Sequence, residues 1–129
     1  MIAQIIICDH IQNDKQAKIH TLGTILNHVH IPVLPFVVKL YVLVKISDFP
    51  SRESLDMQLR IYDEQEKIIG TTSRLVLRNY RDLDMIPGVD AQLELSLVIV
   101  QSGNIRIKCF IDEEEVTWYP LMIRLAEAS

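Results

Sequence analysis

From Phe36 to Ile46 the chain alternates. Phe36, Val38, Leu40, Val42, Val44 and Ile46 are apolar, with Lys39, Tyr41 and Lys45 set between them. Successive side chains of a strand point to opposite faces, so a period of two predicts a half-buried strand, and the β-branched content favours the same element. The pattern returns at Met57, Leu59 and Ile61 against Gln58, Arg60 and Tyr62. It returns at Ala91, Leu93, Leu95, Leu97 and Ile99 against Gln92, Glu94 and Ser96, and again at Ile105, Ile107, Cys109 and Ile111 against Arg106 and Lys108.

Turn chemistry falls between these runs. Asn13-Asp14-Lys15-Gln16 separates an Ile2–Ile11 strand from a Lys18–Ile31 strand, and Pro32 and Pro35 end the latter. Asp63-Glu64-Gln65-Glu66 precedes a Lys67–Arg78 strand. Gln101-Ser102-Gly103-Asn104 and Asp112-Glu113-Glu114 read as hairpin turns. Short polar loops between strands argue for antiparallel neighbours, and no helical period intervenes to support βαβ units. The longer stretch from Asn79 to Asp90 is the best candidate for a crossing between sheets, with a short helical turn around Asp82–Met85. The pattern therefore predicts one all-β domain over residues 1–129, an antiparallel two-sheet sandwich of about eight strands with an immunoglobulin-like character.

Two residues break the regularity. Gly23 lies inside the Lys18–Ile31 run, where glycine marks a bulge or a close backbone approach. Pro120 interrupts the last strand: Val116 and Trp118 share one phase, and Leu121, Ile123 and Leu125 share the other. Proline donates nothing to a ladder, so this strand should be an edge or carry a bulge there.

Composition sets the class. The 129 residues are 49% hydrophobic, which argues against global disorder, and the formal net charge of −4 disfavours non-specific nucleic-acid binding. Two cysteines, Cys8 and Cys109, are too few for a disulfide framework. The apolar run before Asp9 is too short for a signal h-region, and no stretch is long enough for a membrane helix. The expectation is a cytoplasmic chain with reduced thiols and no membrane partner.

Candidate chemistry is thin. Cys8, His10 and His20 form a weak candidate metal set, because a turn at Asn13–Gln16 could bring His10 near His20; His28 and His30 are i, i+2 neighbours. No Cys-x-x-Cys or His-Glu-x-x-His pattern supports either, so solvated histidines are the simpler reading and no cofactor is expected. The loop aspartates are dispersed rather than gathered as calcium ligands. No Gly-x-Ser-x-Gly or Gly-rich phosphate loop occurs, and Asp9 beside Cys8 disfavours a thiolate. Arg74, Arg78 and Arg81, with Tyr80 interleaved, form a basic run that could take an anion or nucleotide. Tyr41, Leu43, Val98, Val100 and Trp118 are candidates for an interface, since apolar residues on an outward sheet face suggest a partner or self-association. Trp118 could equally plug the core beside Pro120.

The two ends of the chain carry a resemblance. Ile5-Ile6-Ile7-Cys8-Asp9 followed by Lys18-Ile19-His20-Thr21-Leu22-Gly23-Thr24-Ile25, and the close through Ser102–Lys108, Ile111-Asp112-Glu113-Glu114 and Arg124-Leu125, is similar to an uncharacterised bacterial family, a domain of unknown function. The resemblance implies a small β-sandwich and a bacterial or phage source, and brings no catalytic residues. The function expected is a non-catalytic interaction module, self-associating as a homodimer or docking a protein partner. The alternatives are a small-ligand or nucleotide binder at the Arg74–Arg81 run and, last, a metal-dependent enzyme at Cys8, His10 and His20.

Overall fold

The computed structural model describes residues 1–14, 19–48, 54–79 and 86–126, and within them the chain is all-β. In order, the strands are β1 (Ile2–Cys8), β2 (Ile11–Asp14), β3 (Ile19–Leu22), β4 (His28–Ile31), β5 (Phe36–Ser47), β6 (Ser54–Tyr62), β7 (Ile68–Thr71), β8 (Leu75–Arg78), β9 (Gly88–Ile99), β10 (Gly103–Ile111) and β11 (Glu114–Leu125). They form three sheets. One has three strands in the order β1-β5-β9. A second has six, in the order β4-β11-β10-β6-β7 with β8 also on β6. The third is the β2-β3 hairpin, which the hydrophobic pattern did not predict as a separate layer.

Alternation places the core. Val38, Leu40, Val42, Val44 and Ile46 of β5 are buried, as are Ala91, Leu95, Leu97 and Ile99 of β9. They cluster with Leu55, Met57, Leu59 and Ile61 of β6, Ile105, Ile107, Cys109 and Ile111 of β10, and Leu121 and Ile123 of β11. Phe36 starts the β5 series but stays exposed. Burial of apolar area on this scale is the main favourable term in folding, at roughly 25 cal/mol per Å².

The third sheet is a folded-back ribbon. Beyond β1 the antiparallel pairing continues: Leu26 N donates to Ile7 O, Cys8 bridges Ile25, Asp9 N donates to Thr24 O, and Gly23 N donates to His10 O. The ribbon then bends over the outer side of the three-stranded sheet, where Asn13 meets Gln92 and His20 meets Asp90. Gly23 makes the bend possible. A Cβ there would collide with Asp9 Oδ1 and come within 3.2 Å of His10 Cβ. This is the close approach that the glycine predicts, but the Lys18–Ile31 run is not one strand: β3 ends at Leu22 and β4 joins the other sheet.

Other expectations change with the tertiary contacts. β4 pairs with β11 in parallel, not antiparallel. The Lys67–Arg78 run splits into β7 and β8, both on β6, where Thr72 N donates to Leu59 O and Thr72 Oγ1 accepts from Leu59 N. Gln101–Asn104 is a crossing between sheets rather than a hairpin, since β9 and β10 lie in different sheets. The connection from β8 to β9 also crosses sheets, and the helical turn expected at 82–85 lies outside the described residues. The bulge in β11 falls opposite Cys109/Phe110 rather than at Pro120. Pro120 pairs with Arg106 on one side, and β4 reaches β11 only from Met122 onward, so the proline sits where the strand is an edge. The Asp112-Glu113 turn is a tight hairpin with both residues at positive φ, 50° and 69°, the twist that joins neighbouring strands without splaying them.

Candidate functional site

The histidine and cysteine candidates are each committed elsewhere. Cys8 is buried under the ribbon, and its thiol donates to His10 O at 3.3 Å and Tyr41 O at 3.7 Å. Burial raises its pKa, with the Asp9 charge adding to the rise. His10 packs its ring edgewise on Tyr41, with centroids 6.2 Å apart. His20 faces Asn13 across the hairpin and contacts Asn13 Oδ1 at 2.8 Å, Asp90 Oδ2 at 3.2 Å and Gln92 Nε2 at 2.8 Å. Lys45 Nζ reaches the other Asp90 oxygen at 3.2 Å. This polar clasp holds the ribbon to β9. Among the described residues no three His, Cys, Asp or Glu side chains gather as metal ligands. The rings of His28 and His30 meet at a tilt of 50°, with centroids 5.1 Å apart, on the exposed side of β4.

The basic run divides. Tyr80 and Arg81 lie outside the described residues. Arg78 ends β8, opposite Ser54. Arg74, just before β8, pairs with Glu113 of the β10–β11 turn, which also takes Arg60 at 2.8 Å.

Arg60 belongs to a set of residues of which the sequence reading singled out only Trp118. On the outer face of the six-stranded sheet, the guanidinium of Arg60 lies 4.1 Å from the Phe110 ring centroid, Lys108 Nζ 4.5 Å from Tyr62, and Arg106 5.9 Å from Trp118. Register explains the set. Arg106 pairs with Tyr62 and Lys108 with Arg60 across β10–β6, and Lys108 pairs with Trp118 across β10–β11, so each cation reaches the aromatic one diagonal step away. Glu66 closes on Arg106 and Lys108, and Glu115 on Lys108 at 3.4 Å. Arg60 beside Glu113 holds that carboxyl below its ordinary range. The signal was in the sequence, since Arg60, Tyr62, Arg106 and Lys108 are the polar parity of two strands. Pairing those strands needed the fold. Chemically the face is a lattice of paired carboxylates and cations with rings between them. Its one strongly open ring is Trp118, at 50% exposure, so Trp118 faces outward and is no core plug.

The interface candidates separate in the same way. Leu43 is on the outer parity of β5, yet the structure buries it to 3% exposure, on the side where Asn13 and His20 of the ribbon meet Gln92, its pairing partner, and Asp90. Leu43 therefore offers no surface to a partner, and Tyr41 is half-buried against His10. Val98 and Val100 remain open, at 58% and 68% exposure, and Val37, paired with Val98, joins them.

These valines flank an unpaired backbone. β9 runs from Gly88 to Ile99, pairs along its whole length with β5, and among the described residues pairs with nothing on its other side. The other edges are shorter or blunted over part of their length. Residues 25 and 26 pair with the last two residues of β1, β7 and β8 are four residues each with a break between them, β4 is four residues long and followed by Pro32, and the stretch of β11 before Met122, which β4 does not reach, carries Pro120. Between the free side of β9 and the β7–β8 edge runs a groove of about 430 Å³, lined by apolar side chains such as Ile69, Leu93 and Leu95 and by polar ones such as Thr72, Ser73, Glu94 and Ser96. A long strand edge beside a groove can accept another strand, with main-chain hydrogen bonds giving affinity and alternate side chains giving specificity.

Comparison with known proteins adds a family. Residues 3–124 match the family of unknown function DUF6941, and the chain belongs to it. No curated protein matches. Among solved structures, the chain is similar to part of a Pseudomonas fluorescens alkylpurine DNA glycosylase, AlkC, bound to DNA containing an abasic site analogue. The identity is 9% and the TM-score 0.42, over 93% of this chain and 30% of that one. The chain thus spans under a third of that protein's length, and a likeness of this grade carries no argument here.

Proposed function

We propose that this member of a family of unknown function is a non-catalytic interaction module, a self-associating or protein-docking domain with an immunoglobulin-like sandwich as its scaffold. The observation that supports it is the long edge of β9, along which no second strand pairs among the described residues. Folded proteins blunt long edges because they template pairing with other chains, so an uncovered one points to a partner. Both thiols are free and buried, which suits a reducing cytoplasm as the setting.

The alternative of an anion or nucleotide site at Arg74–Arg81 has less behind it, because the Arg74 guanidinium is already paired with Glu113. Affinity capture from the native host tests the main reading. Wild-type bait should retain a stoichiometric protein, a second copy of itself included, and Ser96→Lys on the exposed side of β9 should release it. Capture of nothing by wild type, or equal capture by both baits, refutes the reading.

A further inference from the structure

We infer that the occupant of the β9 edge is β9 of a second copy of this chain, paired antiparallel about a two-fold axis through Ser96. The inference rests on the interaction-module reading and names its partner and register. In such an isologous contact each residue meets its mirror position. The two inner faces stay on one side only if the axis passes through a residue rather than between residues.

The side chains of β9 narrow the possible axes to Leu95, Ser96 and Leu97, and we take the central one, which sets the two small Ser96 side chains against each other on the outer face. An axis through Glu94 sets two carboxylates directly opposite each other, which is unfavourable. An axis nearer the start of the strand runs the second copy into the ribbon, which occupies the outer side at Asp90 and Gln92. An axis beyond Leu97 carries the pairing past Ile99, where the strand ends. Through Ser96, the buried parity matches Leu95 to Leu97 of the copy and Leu93 to Ile99 of the copy. On the outer face Glu94 meets Val98 of the copy, and the two Ser96 face each other.

Charge and apolar exposure are both satisfied in that register. Lys39, 69% exposed, pairs with Ser96 on β5 and sits 3.8 Å from Glu94 of its own chain. The small Ser96 pair leaves Lys39 a path across the axis, so each Glu94 lies between two lysines. Val37 and Val98 gain a neighbouring strand over part of their exposed surface. The result is one continuous sheet in the order β1-β5-β9-β9-β5-β1, with the groove beside β9 closed at its open side.

The register is testable by cysteine pairing, since opposed residues of antiparallel strands have Cα atoms about 4.5–5.5 Å apart, close to disulfide distance. Cys8 and Cys109 are fully buried and do not compete. On mild oxidation the full-length Ser96→Cys variant should convert to a disulfide-linked dimer, and Glu94→Cys should not. Glu94→Cys combined with Val98→Cys should link again. By light scattering on a sizing column, wild type should be dimeric at high micromolar concentration. Ser96→Lys, which lines up four cations across the axis, should be monomeric with an unchanged circular dichroism spectrum. A wild type that stays monomeric, a Ser96→Cys that links no faster than Glu94→Cys, or a Ser96→Lys that remains dimeric overturns the inference. If the monomeric chain still captures a different protein in a manner sensitive to Ser96→Lys, the module reading survives and only the occupant is wrong.

Discussion

Replacing Gly23 by alanine tests whether the bend of the β2–β3 ribbon depends on one backbone contact. A Cβ at this position would overlap Asp9 Oδ1, the atom that accepts a hydrogen bond from Thr24 N at 2.8 Å. The carboxylate has to swing away, and that bond is lost. Asp9 and Thr24 are both exposed, so water takes over part of the interaction and the loss is about 1 kcal/mol. The remaining clash, with His10 Cβ at 3.2 Å, requires the ribbon to shift by a few tenths of an ångström. Against this, alanine restricts the unfolded chain and returns about 0.4–1 kcal/mol of stability. Gly23→Ala alone should therefore destabilise by up to about 1 kcal/mol, and Asp9→Ala by about the same. In the Asp9→Ala background the oxygen is already gone, so Gly23→Ala should be neutral or mildly stabilising. The double variant then shows a coupling of about 1 kcal/mol. Urea unfolding followed by far-UV circular dichroism, with matched m-values, measures all four corners of the cycle. If Gly23→Ala costs the same with and without the Asp9 carboxylate, the contact is not what the glycine serves.

Three further outcomes follow from the same packing. Leu43→Ala should cost about 2–5 kcal/mol in urea unfolding, as a core position does, whereas Val98→Ala in the monomer should stay within about 0.5 kcal/mol; similar values for the two would mean that the ribbon does not cover β5. The Cys109 thiol, its pKa pushed up to about 12 by burial, should react with iodoacetamide at mildly alkaline pH only as fast as the chain unfolds, and rapid alkylation of the folded protein would contradict its placement. Glu113 has its pKa lowered by Arg60 first, so its contribution is present above the ordinary glutamate value of about 4.3 and is lost as pH falls through the lower folded value. Glu113→Gln should accordingly be less stable than wild type at neutral pH and converge with it in acid, with the gap narrowing in salt. A difference independent of pH would remove the Arg60–Glu113–Arg74 pairing from the account.

Much of this molecule is written locally. The inward parity of β5, β6, β9 and β10, the turns at Asp63–Glu66 and Asp112–Glu113, and the close approach at Gly23 could be read along the chain. A strand's alternation and a turn's φ requirements are properties of a few consecutive residues. The order of the sheets, the parallel β4–β11 pair and the ribbon laid over Leu43 could not. Each depends on which distant strand supplies the hydrogen bonds, and one period of two looks the same beside any neighbour. The same limit applies to the functional surfaces. The residues of the cation–aromatic face were visible as an outward parity, but their diagonal contacts came from register. The free edge of β9 was invisible to pattern, because an unpaired edge is a fact about which strand is not alongside.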